Sequence, residues 1–236
     1  MVSGDFETDG FAIVAGVLTA DEVDALAAEF AVAEGVSSAG ALQRGGQVYA
    51  RRNVLTDVRL VRGLARSEAV RSLVEPVLGS GAFASRGLLF DKTSEANWMV
   101  PWHQDLTVAV KARIDAPGFG PWTVKAGVAH VRPPVSVLER MLTVRVHLDD
   151  CGPGLGPLRV LPGSHRDGRI GAEGCRAWLE RVEAVPCLVT RGAVVLMRPL
   201  LLHASSAADV PGHRRVVHLE FAAEPLPHGV EWYERV

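Results

Sequence analysis

Cysteine is scarce in this chain. There are three, Cys151, Cys175 and Cys187, and none forms a C-x-x-C pair. An odd count without a dithiol motif fits reduced, inert thiols in a cytosol and leaves one disulfide open. An excess of charge of one sign is also lacking, since 25 Lys and Arg face 27 Asp and Glu. No basic stripe or polybasic tract argues for nucleic acid or an anionic membrane. Long apolar runs are missing too. The most apolar stretch, Ala193 to Ala204, is broken by Arg198, Pro199 and His203 and is too short and polar to span a bilayer. Met1-Val2-Ser3-Gly4-Asp5 has neither the cationic nor the apolar region of a signal peptide. Internal repeats and low-complexity tracts are absent. These gaps point to a soluble, cytoplasmic protein that binds no nucleic acid and no membrane.

What is present suits a sizeable core, because 48% of the residues are hydrophobic and 22% charged. The chain's 236 residues fit one domain, helical over about 1–80 and built of strands over about 83–222. Phe11, Ile13, Val14, Val17 and Leu18 suggest a short lead-in strand. Thr19-Ala20-Asp21-Glu22 matches a capping box and opens a helix carrying Val23, Leu26, Ala27 and Phe30, with Gly35 as its stop. Residues 37–46 are small and polar and read as a loop. Ser67 caps a second helix with Val70, Leu73, Val74 and Val77 on one side, and Pro76 kinks or shortens it.

From Phe83 onward strands and turns dominate. Residues 111–134 hold seven Gly and Pro residues with Phe119 and Trp122 and read as a long irregular insertion. Leu142, Val144, Val146 and Leu148 then alternate with Thr143, Arg145, His147 and Asp149, the cleanest strand pattern of the chain. A turn at 151–157, a strand at 158–161, a short helix near 176–182 and strands at 193–197 and 215–221 complete the pattern. Such short strands behind two helices indicate a mainly β, cupin-like jelly roll, a double-stranded β-helix.

Within this frame, Trp102-His103-Gln104-Asp105 carries the chemistry. In an extended segment His103 and Asp105 point the same way. They offer two corners of a 2-His-1-carboxylate triad, the site that leaves positions open on non-haem Fe(II). A lone His-x-Asp is weak, but Leu200-Leu201-Leu202-His203 places a second histidine after an apolar strand, late in the chain. Arg214 follows eleven residues later, and its fork of donors matches the two oxygens of a carboxylate. Ser205 adds a hydroxyl.

These segments, with Lys92 and Gly156-Pro157-Leu158-Arg159-Val160-Leu161-Pro162-Gly163-Ser164-His165, occur in the order found in a known family. The chain resembles the phytanoyl-CoA dioxygenase family of Fe(II)- and 2-oxoglutarate-dependent oxygenases over roughly residues 83–222. The resemblance implies His103, Asp105 and His203 as iron ligands and Arg214 with Ser205 on the C5 carboxylate of 2-oxoglutarate. It also places Lys92 along the cosubstrate pocket. It implies consumption of 2-oxoglutarate and O2, release of succinate and CO2, and hydrogen abstraction from a small organic substrate. Related halogenases replace the carboxylate ligand, whereas Asp105 is retained here, which favours hydroxylation over halogenation. Epimerisation or cyclisation on the same fold stays open. So does a non-catalytic, cupin-like binding protein.

Other candidates divide between site and scaffold. Arg145 lies on the polar face of its strand, where it either meets the cosubstrate or substrate or forms an outward salt bridge. Thr143 shares that face and that alternative. Trp98, Gln104 and Trp122 are candidate substrate contacts, and Trp98, Trp102, Phe119 and Trp122 form either an aromatic lid or core. His147 and His218 fall near the site by alternation. His130, His165, His213 and His228 read as loop or surface residues, and Arg215 as a solvated charge beside Arg214. No acyl-CoA phosphate clamp stands out, so the family's name does not supply the substrate.

Overall fold

A computed structural model describes residues 2–34, 40–44, 46–210 and 212–236. The chain opens with β1 (Val2–Ser3), α1 (Phe6–Asp9), β2 (Phe11–Val14) and α2 (Ala20–Glu34). A hairpin of β3 (Ala41–Arg44) and β4 (Gln47–Arg52) leads into α3 (Val54–Asp57), α4 (Arg59–Arg66) and α5 (Glu68–Leu78). Next come β5 (Phe83–Lys92), β6 (Val100–His103), β7 (Val108–Val110), β8 (Trp122–Lys125), β9 (Val128–Val131) and α6 (Val135–Glu139). The remainder is β10 (Leu142–His147), β11 (Leu158–Val160), α7 (Ala172–Arg181), β12 (Val185–Pro186), β13 (Val194–Met197), β14 (His203–Ser205) and β15 (Arg214–Ala222).

The expected double-stranded β-helix forms from two antiparallel sheets. The larger runs β1-β2-β13-β10-β15-β5-β4-β3, the smaller β12-β11-β14-β6, and a separate sheet runs β7-β9-β8. Strand β10 sits centrally, paired with β13 on one side and β15 on the other. Its alternation decides the layering. Leu142, Val144, Val146 and Leu148 are fully buried against a helical layer that includes Val54, Leu55, Val61, Val70 and Val74. Burying each such side chain contributes about 1.5–3 kcal/mol, which drives this face of the sheet onto the helices. Thr143, Arg145 and His147 therefore face the interior between the two sheets. The same alternation puts Arg86, Leu88, Phe90 and Lys92 of β5, and Arg214, His218 and Glu220 of β15, on the inner face.

Both sequence-predicted caps are present. Thr19 N–H donates to Glu22 Oε2 at 2.8 Å, and Glu22 N–H donates to Thr19 Oγ1 at 3.3 Å. Ser67 Oγ accepts from Val70 N–H at 3.3 Å, and α5 runs through Pro76 to Leu78. The proposed stop at Gly35 lies outside the described residues.

Four expectations need correction. The N-terminal part is not purely helical, because β1 to β4 join the large sheet. The loop read over 37–46 instead includes β3 and the turn into β4 (35–39 and 45 fall outside the described residues); pairing with β5 through Ala50, Arg51 and Arg52 recruits weakly patterned residues into a sheet. Leu200, Leu201 and Leu202 form a buried turn rather than a strand, and β14 starts at His203. A short apolar run enclosed on all sides carries no period that separates the two. Residues 111–134 are not irregular throughout, since β8 and β9 form a hairpin around Ala126 (φ 51°) and Gly127 (φ 76°). Two left-handed residues are what a tight two-residue hairpin demands.

The capping box yields a direct expectation. Thr19→Ala removes the hydroxyl acceptor at the start of α2 and should lower stability by about 1 kcal/mol. Urea unfolding should show an earlier midpoint at unchanged slope.

Candidate metal centre and active-site cavity

The smaller sheet sets the centre. His103 ends β6, His203 opens β14, and the two are direct Cα partners across the antiparallel pair. Their rings lie 4.2 Å apart between centroids. Each Nδ1 contacts the carbonyl two residues earlier, Pro101 O at 2.8 Å and Leu201 O at 2.9 Å. A carbonyl only accepts, so each Nδ1 must carry the proton and each Nε2 keeps its lone pair. His103 Nε2 lies 4.0 Å from Asp105 Oδ1, and His203 Nε2 lies 3.7 Å from Asp105 Oδ2. Asp105 is held by its own N–H, which donates to Pro199 O at 2.9 Å.

Electrostatics keeps these groups in ligand form. Burial pulls the Asp105 carboxyl up, but His203, His218 and His103 together bring it well below the usual carboxylate range. Burial pushes the His203 imidazole down to about 4, against the pull of Asp105, so it is neutral near pH 7. Asp105 Oδ2 is buried without a hydrogen-bond donor. Two lone pairs and a carboxylate, with ligating atoms all within 4.8 Å of one another, converge with no donor between them. A divalent cation satisfies all three at once, and one face made of three ligands leaves its other positions open.

The centre opens into a cavity of about 450 Å³. Arg214 and Ser205 line it, as expected. Arg214 is 6% exposed, donates from Nη1 to Gly156 O, and has an Nε without a partner. Gly156 is required at that place, because its φ is +61° and a Cβ would lie 2.4 Å from Ser206 O. Arg145 also lines the cavity, which excludes the outward salt bridge; it donates to His218 Nδ1 at 2.9 Å. His218 Nε2 lies 3.4 Å from Glu220 Oε1, which accepts from Arg86 Nη1 at 3.0 Å. A polar chain thus crosses the inner face of the large sheet.

Other candidates sit elsewhere. Lys92 is buried outside the cavity lining, donates to Ser206 O at 2.5 Å and lies 5.3 Å from the Trp98 ring centre. Burial, with Arg214 adding to it, brings its ammonium down to about 7. Thr143 is fully buried beside Glu220 with an unpartnered hydroxyl and does not line the cavity either. Trp98 does line it, its ring tilted against Tyr49 with centroids 4.8 Å apart. Trp122 and Phe119 pack instead on the cluster of Val108, Val131 and Leu138, and Trp102 lies under Arg159, so the aromatic lid reduces to Trp98. Gln104 borders the cavity but its amide is committed. It donates to Gly168 O and Leu200 O at 2.7 and 2.6 Å and accepts from Ile170 N–H at 2.8 Å.

Two surface assignments change: His130 is buried on β9, and Arg215 forms a two-pronged ion pair with Asp149, whereas His213 is an exposed loop residue as expected, paired with Asp91 at 2.8 Å. Sequence reasoning missed Arg52, Arg86, Lys125, Arg132 and Glu220 as cavity residues. Only Arg86 left a trace, in its alternation with Leu88 and Phe90.

A model of the family described as Phytanoyl-CoA dioxygenase (PhyH) matches residues 6–216. No curated protein sequence matches the chain at a significant level. Among solved structures, EctD from S. alaskensis with bound Fe is similar at 21% identity and TM-score 0.74, covering 94% of this chain and 76% of that one. AviO1 from Streptomyces viridochromogenes Tue57 is similar at 23% identity and TM-score 0.68, covering 94% and 95%. The non-heme alpha ketoglutarate dependent epimerase SnoN from nogalamycin biosynthesis is similar at 18% identity and TM-score 0.68, covering 98% and 90%. At these identities the likeness establishes the shared fold.

The Gln104 amide has a testable consequence. Gln104→Ala strands two carbonyls and one N–H and should cost on the order of 3 kcal/mol. A large fall in the urea midpoint identifies a scaffold residue; a pure substrate contact would leave the midpoint in place.

Proposed function

The chain belongs to the phytanoyl-CoA dioxygenase family of Fe(II)- and 2-oxoglutarate-dependent oxygenases, and we propose that it oxidises a small organic substrate at a centre formed by His103, Asp105 and His203. The observation that carries this reading is the orphaned Asp105 Oδ2 facing two imidazole lone pairs. Bound Fe(II) with 2-oxoglutarate supplies the O2 activation and hydrogen abstraction, with release of succinate and CO2.

The protein's part is orientation, charge and exclusion of water. The carbonyls of Pro101 and Leu201 fix both imidazole tautomers, as outer partners of metal-bound histidines do. Arg214, aided by Ser205, holds the distal carboxylate of 2-oxoglutarate; burial at its base makes that ion pair strong and directional. Arg145 is kept in the cavity wall by His218, where its charge faces the space beside the centre. Trp98 closes one side of the cavity. The retained Asp105 carboxylate supports oxygen transfer or another outcome of hydrogen abstraction over halogenation. Three free thiols, two of them buried, support a cytoplasmic location.

Two measurements test the assignment. His103→Ala and Asp105→Ala should each abolish substrate-stimulated succinate formation, and full turnover in both would refute the triad. Arg214→Ala should raise the 2-oxoglutarate concentration for half-maximal turnover by at least about tenfold, the equivalent of 1.4 kcal/mol, while the iron requirement stays within about twofold. An unchanged 2-oxoglutarate requirement would reject Arg214 as the anchor.

A further inference from the structure

The cavity lining is strongly unbalanced in charge. Six cationic side chains face it, Arg52, Arg86, Lys125, Arg132, Arg145 and Arg214, against the two carboxylates of Asp105 and Glu220. Asp105 belongs to the metal centre, and Glu220 is taken by Arg86 with His218 close by. Arg214 is assigned to the cosubstrate, and Arg145 is engaged with His218. That leaves Arg52, Lys125 and Arg132. None has a carboxylate within ion-pair distance among the described residues, and Arg132 Nε is buried without any hydrogen-bond partner. Lys125 Nζ has only the Thr107 hydroxyl, at 3.3 Å.

Arg86 lies at the opposite end of the cavity from Arg214, Arg52 and Lys125 are close enough to Arg86 to feel its charge, and Arg132 lines the same cavity. Arg214 pairs with Lys92 at one end of the β15–β5 ladder, and Glu220 pairs with Arg86 near the other. Six residues of extended chain separate Arg214 from Glu220, or about 20 Å. A five-carbon diacid anchored on Arg214 is far too short to reach both ends. A second cationic end is therefore not explained by 2-oxoglutarate.

We propose that Arg52, Lys125 and Arg132, with Arg86, form a second anion site that binds an acidic group, carboxylate or phosphate, on the organic substrate and so turns its oxidisable carbon toward the metal centre. The substrate role rests on the oxygenase reading; the anion site does not. Crowding of like charge supports it. Burial lowers the Lys125 ammonium, with Arg86 and Arg52 adding to the effect, and Arg52 is lowered by burial and then by Arg86. A bound anion would relieve that repulsion in a partly desolvated pocket, where such attraction is strongest. A volume of about 450 Å³ suits a small molecule in addition to the cosubstrate.

Two of the three free cations come from one hairpin. Lys125 ends β8 and Arg132 directly follows β9. The β8–β9 hairpin thus acts as the wall that selects the substrate.

Calorimetric titration of inorganic phosphate, and separately of acetate, into anaerobic protein loaded with Fe(II) and saturating 2-oxoglutarate tests the site. At least one anion should bind saturably, and K125M/R132Q should weaken it by at least about tenfold. Arg132→Lys, which keeps the charge, should stay within about threefold of the natural protein and guards against misfolding as the cause. No saturable binding, or equal binding by K125M/R132Q, overturns the site. The tighter anion identifies the acidic group. In a succinate-release screen, acids should stimulate turnover and their neutral amides should not; equal stimulation by an amide overturns the substrate role. Visible charge-transfer absorption on adding 2-oxoglutarate to the Fe(II) protein reports separately on the oxygenase reading. Anion binding without that absorption would remove the oxygenase reading and leave the anion site standing.

Discussion

The pairing of β6 with β14 is the contact on which the site depends. It sets His103 opposite His203, so two residues a hundred positions apart arrive with their rings 4.2 Å between centroids. A slip of one residue would turn every side chain of either strand to the other face. Register here is fixed by more than the ladder. The Gln104 amide ties this corner to Gly168, Ile170 and Leu200, and Asp105 N–H reaches Pro199 O, on the turn that leads into β14. Buried Leu200, Leu201 and Leu202 anchor that same turn in the core. The geometry of the centre is therefore held by hydrogen bonds of the Gln104 amide and the backbone, and by packing, that contain no proposed ligand atoms.

The large sheet solves the complementary problem of placing charge inside a protein. Unpaired charges in an apolar interior are prohibitively unstable, so buried ones are paired or border a solvated or ligand-filled space. One face of β10, β15 and β5 carries aliphatic side chains, together with Phe221, that pack into the core shared with the helices. The opposite face carries Arg145, His218, Glu220, Arg86 and Arg214, linked in sequence by hydrogen bonds or aimed into the cavity. The aliphatic face stabilises the sheet enough to tolerate the polar one. His147, on the same inner face, is fully buried with neither nitrogen partnered, and burial pushes it well below the ordinary histidine range. It stays neutral inside the fold, which limits the local cost to unsatisfied polarity.

What could be read beforehand follows a clear physical division. The cluster of His103, Asp105 and His203 was legible because its spacing and chain order are local signals, a His-x-Asp pair and a later His eleven residues before an Arg. The β10 strand and both helix caps were legible because alternation and capping are short-range codes. The β3–β4 hairpin was not, since weakly patterned β3 acquires strand character only by pairing with β4, which in turn pairs with β5. The β8–β9 hairpin was hidden by Pro117, Gly118, Gly120 and Pro121 just before it, although Lys125-Ala126-Gly127-Val128 held a turn signal. The cationic end of the cavity left no trace in sequence beyond the alternation of Arg86 with Leu88 and Phe90. Arg52, Arg86, Lys125 and Arg132 come from separate strands and loops, and only the fold brings them together.

That distinction bears on how such a fold acquires a new substrate. Of the proposed site, His103 and His203 sit on paired strands of the smaller sheet and Arg214 opens β15 of the larger one, so altering them bears on the scaffold as well as on the proposed chemistry. Lys125 and Arg132 sit on a hairpin of a separate three-stranded sheet, joined to the barrel through the apolar contacts of Val108, Val110 and Val131. Its inward side chains can change charge or length without breaking a ladder bond of the β-helix. The apolar face of this small sheet keeps the wall in place while its polar edge is free to vary. Lys125 and Arg132 of the proposed anion site can then vary apart from the proposed iron centre, whereas Arg52 and Arg86, on β4 and β5, share the large sheet with Arg214.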